Sequence, residues 1–502
     1  MYEVNLRAFS QAGDLDGVTD RLDEIQSLGV NVLWLMPIHP VGQINSAGGL
    51  GSPYSVQNYH TVGSEYGTLS DLTTLIDEAH QRGMSVLMDW VANHTAWDHP
   101  WITTHPDWYT QDGQGNIIHP AGTNWTDVAD LNYNNQAMRS AMISEMQYWV
   151  NDVGIDGFRT DTADFVPFSF WQQAITAVRA GTNRDLLMLA EGARNDHYAA
   201  GFDLTYGWDF YNAVKSVFNS SSPATLLQQT RASEFAVVPQ GKGILQFTTN
   251  HDESAWDATP VELFGGLDAS LAAYAVTVAY GGTPLVYSGQ EIGREELLPF
   301  FTRDPLDWNT GQDTAQWYAQ LLGARADHIA LREGTMTDQS TNDVAMLLRE
   351  SGDDQVIVLV NTRGQSRQVS IPAGWQGNWI DLMTGQSQSL SAQHTLAPYG
   401  VLILGTVPML TGDINGDGFV GVADLNVILS NWNQTVPVGD KSQGDLAGIG
   451  DGFIGVSDLN VVLGNWNAGT PPGVDAPGNV PEPATVLLLG VVTLRTLARP
   501  KR

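Results

Sequence analysis

Three carboxylates each end an apolar, strand-like run: Asp161 in Gly-Phe-Arg-Thr-Asp, Glu191 in Leu-Met-Leu-Ala-Glu-Gly, and Asp252 in Phe-Thr-Thr-Asn-His-Asp. If these runs are buried strands of a parallel α/β barrel, the three acids converge on the mouth where such a barrel keeps its chemistry. Acids gathered there can divide the cleavage of a glycosidic bond, one attacking as nucleophile and another serving as acid and base. Arg159 lies two residues before Asp161 on the same strand face, where its charge is expected to hold the Asp161 carboxyl down. An acid that starts protonated can help a sugar hydroxyl leave, and neighbouring negative charge favours that state.

The elements that would position these acids follow in a regular rhythm. Tyr2 to Phe9 alternates like a first strand. Val18, Leu22, Ile25 and Leu28 share a helical face closed by Gly29, and Val30 to Pro37 reads as the next strand. Ser70 is the expected N-cap of a second helix with Leu72, Leu75, Ile76 and Ala79 on one face, and Gly83 precedes the strand Met84 to Val91. Further strands are expected at 155–160, 186–190, 202–206, 244–249 and 284–288. They complete the eight of a TIM (β/α)8 barrel over residues 1–335. The polar, Trp-rich stretch 94–133 is too long for a loop and is expected to be a small inserted domain. Residues 336–408 carry short alternating strands, as in an antiparallel β-sandwich.

Composition narrows the function. The chain has 502 residues, a formal charge of −32 and only 23 Lys plus Arg. So little positive charge excludes a nucleic-acid partner, which needs phosphates neutralised, whereas a neutral substrate is accommodated easily. Sixteen Trp supply apolar faces of the kind sugar rings pack against. The absence of Cys excludes disulfides and thiolate chemistry and leaves export open.

Six stretches resemble the α-amylase family of glycoside hydrolases, in the family's order. They are Asp89-Trp-Val-Ala-Asn-His94, Val128-Ala-Asp-Leu-Asn132, Gly157-Phe-Arg-Thr-Asp161, Ala190-Glu191-Gly192, Asn250-His-Asp252 and Gly281 to Glu291. The resemblance implies that Asp161 is the nucleophile, Glu191 the general acid/base and Asp252 a binder of substrate hydroxyls that stabilises the transition state. It implies substrate-binding roles for Tyr54, His94, Arg159 and His251, and a calcium contact for Asn93. The chain departs from the family at Asp164-Phe165, where Lys-His is common, and at Asn58, where an Asp is common. The first departure puts the leaving-group subsite and a usual calcium contact in question.

Residues 409–469 contain a near-repeat of 34 residues. In the first copy Asp413, Asn415, Asp417 and Asp424 stand at positions 1, 3, 5 and 12 of an EF-hand-like loop, with Gly418 at the turn. Leu425, Ile428, Leu429 and Trp432 then form an apolar helical face. The repeat resembles dockerin-type calcium loops, which implies Ca²⁺ as a cofactor and a protein or cell-surface partner. The second copy is degenerate, with Asp445 displaced by two residues. Residues 470–502 form a Pro/Gly-rich linker, then Val480-Pro-Glu-Pro, a short apolar run and a basic end. This resembles a PEP-CTERM sorting signal and implies export to the envelope or outside the cell, with membrane contact only through the tail. No leader is recognisable before Tyr2, so a truncated start is expected.

The expectation is a retaining hydrolase of α-glucosidic, mainly α-1,4, bonds in starch-like glucans or maltooligosaccharides. An α-glucan transglycosylase or trehalose-forming enzyme would use the same intermediate. A non-catalytic carbohydrate-binding or scaffold protein is disfavoured, because all three acids are present.

Overall fold

A computed structural model describes residues 1–406, 412–415, 418–438, 440–446 and 452–468. The chain divides into two compact units, Met1–Pro408 and Met409–Arg502.

Parallel strands ring the first unit: β1 Tyr2–Val4, β2 Val32–Leu35, β3 Ser85–Trp90, β4 Gly157–Thr160, β5 Leu187–Ala190, β6 Leu204–Tyr206 and β7 Gly243–Gln246. The last, β8, is broken at Leu285 into Thr283–Pro284 and Val286–Tyr287. Its first piece pairs with β7 and its second with β1, which closes the barrel. Alternation along each strand sorts side chains to two faces. Trp34, Leu87, Leu189 and Leu245 share an inner cluster, while Leu33, Leu35, Val86, Met88, Phe158 and Met188 belong to the outer core. Gly157 opens β4 at φ 144°, where a Cβ would lie 1.9 Å from the Leu187 carbonyl oxygen, so only glycine lets β4 and β5 meet there.

Three local expectations change. The helix Leu69–Gln81 is capped by Thr68, not Ser70: the Thr68 side chain accepts from the Asp71 N–H while Asp71 reaches back to the Thr68 N–H. The first strand stops at Val4, and Leu6–Phe9 is a helical turn that carries Arg7 to Glu65 and to the carbonyls of Leu50 and Gly51. The helix read through Val18 to Leu28 is two, Leu15–Thr19 and Leu22–Ser27, although all four apolar positions are buried as expected.

Between β3 and β4 the insertion is anchored by the antiparallel strands His94–Ala96 and Val128–Asp130. After the barrel, six antiparallel strands between Thr335 and Gly405 form one sheet, and Arg367–Ser370 pairs with Gln393–Leu396 in another. Val344, Met346, Ile357 and Leu359 of the large sheet share a core with Val369 and Leu396 of the small one. Ala345, Leu347, Val356 and Val358 point the other way, into the main core. The central strands are thus buried on both faces, as a sandwich against the barrel requires.

In the second unit the two copies of the repeat form the helices Val422–Ser430 and Val456–Gly464, around Val420, Ile428, Val436, Ile454 and Val462. Of the expected apolar face, Ile428 is buried and Leu425 and Trp432 are partly buried, whereas Leu429 is exposed. The sorting-signal reading of 470–502 lies outside the described residues. Among the described residues no helix is long and apolar enough to cross a membrane.

Candidate active site

The strand ends deliver the site. Asp89 on β3 and Arg159 on β4 are register partners. Asp161 directly follows β4 and Glu191 directly follows β5. Beyond β7 the backbone turns into the helix His251–Trp256, whose start is fixed by Asn250: its side chain accepts from the N–H groups of Asp252 and Glu253 at 3.0 and 2.9 Å. Tyr54, His94, Asp161, Glu191, His251 and Asp252 all line one cleft of about 450 Å³. Arg159 lies fully buried beneath them.

Arg159 ties the acids together. Its Nη1 donates to both Asp89 oxygens at 2.9 and 3.1 Å and to Asp161 Oδ1 at 3.2 Å. Its Nη2 lies 2.8 Å from Glu191 Oε1, at ion-pair distance but without hydrogen-bond alignment. Burial raises Asp161 to about 6; Arg159 opposes the rise while Asp89 and Asp252 add to it. The expected depression by Arg159 is therefore present but outweighed. Burial likewise raises Glu191 to about 7, against Arg159 and with Asp161 and Asp252. The Thr162 N–H donates to Glu191 Oε2 at 2.6 Å.

A second chain of polar groups runs beside the first. His251 Nδ1 meets Glu3 Oε1 at 2.5 Å, its Nε2 meets Tyr54 Oη at 2.8 Å, and Tyr54 Oη donates to Asp89 Oδ2 at 3.0 Å. Burial opposes a charge on His251, yet Asp252 and Glu3 outweigh it and raise the imidazole to about 9. A protonated His251 donates from both nitrogens, which suits both partners. Its ring lies 5.2 Å from that of Tyr54 at 17°. His94 is the opposite case: burial lowers it to about 4, and its Nδ1 accepts from the Asn93 side chain at 3.2 Å. Asn93 thus turns its amide to His94, and among the described residues no group of three or more His, Cys, Asp or Glu is placed to hold a metal ion.

Some site residues were not assigned roles from sequence. Glu3 is wholly buried in β1, and a carboxylate inside so short an apolar strand was the only local signal. Trp256, 64% exposed, stands at the cleft beside Phe300, with ring centres 5.6 Å apart. Trp125 lines the cleft too and stacks on Phe165, which is 54% exposed, at 5.7 Å. The departure Asp164-Phe165 thus supplies an aromatic neighbour to the cleft, while Asp164 binds His197 Nε2 at 2.6 Å. The other departure, Asn58, accepts from the His60 N–H at 2.8 Å and serves its own loop.

In the second unit Asp413 and Asp424 are buried. Asp413 Oδ2 accepts from the Gly418 N–H at 2.9 Å, and Asp424 accepts from Ile414, Asn415 and Gly421 at 2.7, 3.2 and 2.8 Å. Asp417 lies outside the described residues. The second copy repeats this pattern: Asp445 Oδ2 accepts from Gly452 at 3.0 Å, and Asp458 from Leu446 and Gly455 at 2.8 and 2.9 Å. Despite its displacement in sequence, Asp445 does there what Asp413 does in the first copy.

A (β/α)8 barrel with an insertion after β3, acids beyond β4, β5 and β7, and a C-terminal sandwich defines a recognisable class of protein. The chain belongs to the α-amylase family, whose catalytic domain it matches over residues 7–345. It is 28% identical over 408 residues to alpha-amylase MalA of Haloarcula japonica, covering 77% of this chain and 58% of that protein. It is 31% identical over 233 residues to trehalose synthase/amylase TreS of Mycolicibacterium smegmatis, covering 39% of this chain and 38% of the other. The crystal structure of an alpha-amylase from Lactobacillus plantarum, 28% identical, has a TM-score of 0.73 over 80% of this chain and 97% of that one. The chain spans less than two thirds of the length of these two curated relatives.

Proposed function

We propose that the chain is a retaining glycoside hydrolase cleaving α-glucosidic, mainly α-1,4, bonds in starch-like glucans or maltooligosaccharides. The observation that carries this reading is the pair Asp161 and Glu191, both in contact with Arg159 and raised to about 6 and about 7. Arg159 donates a hydrogen bond to Asp161 but makes only an unaligned contact with Glu191, and a charged Asp161 raises Glu191 further, so the proton of the pair rests on Glu191. Asp161 attacks the anomeric carbon while Glu191 gives its proton to the departing oxygen, and the product is a glycosyl ester. Glu191, now a carboxylate, then takes a proton from water as that water displaces Asp161. Asp252 and His94 offer polar groups to the sugar hydroxyls, and His251, whose two nitrogens hold Glu3 and Tyr54, borders the cleft beside them. Tyr54, the partly buried Trp125 and the exposed Trp256 offer aromatic faces.

A second reading rests on the likeness to the trehalose synthase/amylase: if a sugar hydroxyl replaces water in the second step, the same site is a transglycosylase or a trehalose-forming enzyme. The test is to incubate the protein with pure maltotetraose, and separately with starch, pullulan, cyclodextrins and sucrose, and resolve the products by chromatography. Shorter maltooligosaccharides with new reducing ends support hydrolysis. Longer products or trehalose favour the second reading, and no turnover on any of these substrates sinks both.

We also infer that Asp413, Asn415, Asp417 and Asp424 hold Ca²⁺. A protein or cell-surface partner would meet the exposed Val422 and Leu429, whose counterparts Val456 and Leu463 are exposed as well. The sorting-signal resemblance of 470–502 supports export to the envelope or beyond, with the membrane met only by that tail.

A further inference from the structure

β5 ends at Ala190, so Glu191 opens the loop that runs to the helix His197–Ala200. A general acid has to be held in place to transfer its proton, and a loop by itself does not hold it. Next to the carboxyl, the loop after Asp161 supplies two bonds: the Thr162 N–H to Glu191 Oε2 at 2.6 Å and the Ala163 N–H to the Glu191 carbonyl at 2.9 Å. Farther along, Asp164 takes over. Its carboxylate accepts from the Ala193 N–H at 3.1 Å, the Arg194 N–H at 3.3 Å and His197 Nε2 at 2.6 Å. Arg194 Nη1 returns the contact, donating to the carbonyls of Asp164 and Val166 at 2.8 and 3.1 Å. The joint is tight enough to exclude a side chain at position 192. A Cβ on Gly192 would lie 2.3 Å from Asp164 Oδ1 and 2.7 Å from His197 Nε2.

We propose that Asp164 is a positioning residue for the general acid: its carboxylate clamps residues 193–197 to the loop that follows Asp161 and so fixes Glu191 against the nucleophile. This extends the proposed function and rests on its assignment of Glu191. Burial works against the charge on Asp164, but His197 and the loop N–H groups outweigh it and hold the carboxyl below its ordinary value, as a clamp ionised during turnover requires. A lysine at this position could accept none of these three bonds.

The test compares kcat/KM on two substrates. Maltotetraose has a leaving sugar that needs a proton, whereas a chloronitrophenyl α-maltotrioside has a phenolate that leaves without one. Glu191→Gln provides the reference. Asp164→Ala is expected to lose about tenfold more on maltotetraose than on the aryl glycoside. The loss reproduces, in weaker form, the discrimination shown by Glu191→Gln. Asp164→Asn keeps the volume and one acceptor oxygen, and it is expected to show the same discrimination at about threefold; it carries the test if the alanine variant does not fold. Equal losses on the two substrates, or no loss, in the folded Asp164 variants while Glu191→Gln discriminates would overturn the clamp alone. No discrimination by Glu191→Gln would overturn the acid assignment and the clamp with it.

Discussion

The Thr162 N–H donates to Glu191 Oε2 at 2.6 Å, so the residue that follows one acid holds the other. Thr162 adopts φ 42° to do so, a left-handed backbone that a β-branched residue rarely takes. Its hydroxyl donates to Asp161 Oδ2 at 3.2 Å. One strained residue therefore touches both carboxylates, and the neighbouring structure over-determines its conformation.

The rate on maltooligosaccharides should be bell-shaped in pH, with an acid limb near about 6 from Asp161 and an alkaline limb near about 7 from Glu191. Both limbs belong to the coupled pair, since Asp161 raises Glu191 and Asp252 and Arg159 act on both. Initial rates measured across the range check this. A rate that stays flat from about pH 5 to about pH 9 would contradict the assignment of acid and nucleophile.

Stability should carry the mark of the same burial. Glu191 rises from 4.5 in the unfolded chain to about 7 in the folded one, so the folded state holds a proton that the unfolded state has released. At pH values below 4.5 both states are protonated and nothing is lost; stability falls as pH rises through the window from 4.5 to about 7 and stays lower above it. Glu191→Gln removes that penalty, which is on the order of 3 kcal/mol. Calorimetry should show a higher melting temperature for the variant at about pH 8 and little change at about pH 4. Equal shifts at both would contradict the account.

Trp256 is exposed at the cleft beside Phe300 and supports little of the fold. Trp256→Ala should raise KM for long maltooligosaccharides by about tenfold while leaving the melting temperature within about a degree. A large fall in melting temperature with KM unchanged would make Trp256 a packing residue instead.

The barrel was legible because strands buried on both faces read as continuous apolar runs, and the three acids were legible because they end such runs. Glu3 was not. Its partner His251 lies 248 residues away and is brought near only when β8 closes the ring onto β1. The net effect on Asp161 was missed for a similar reason. Spacing shows that Arg159 is close, but only the folded site shows that burial and two further carboxylates outweigh it. The Thr68 cap competed with Ser70, a residue of higher intrinsic capping preference, and the choice fell to Asp71 three residues after Thr68, which completes a capping box. Composition likewise counted the tryptophans without revealing that Trp125 and Trp256 face the cleft.

Calcium should stabilise the second unit selectively. In the full-length protein, replacing Ca²⁺ by a chelator should lower a melting transition that Asp424→Ala also lowers, because a cation bound only by the native loops stabilises them by mass action. The transition of the barrel should move little. Identical calorimetric traces with and without Ca²⁺ would rule out the calcium reading.

The central claim is that Asp161 forms a covalent ester with the sugar, and trapping that ester tests it most directly. The protein is incubated with a 5-fluoro-α-glucosyl fluoride, quenched in acid and digested, and the labelled peptide is sequenced by tandem mass spectrometry. The expected result is a single glycosyl adduct on Asp161 that forms with loss of activity. An adduct on another residue, or steady turnover with no adduct and an inverted first product by NMR, would contradict the account.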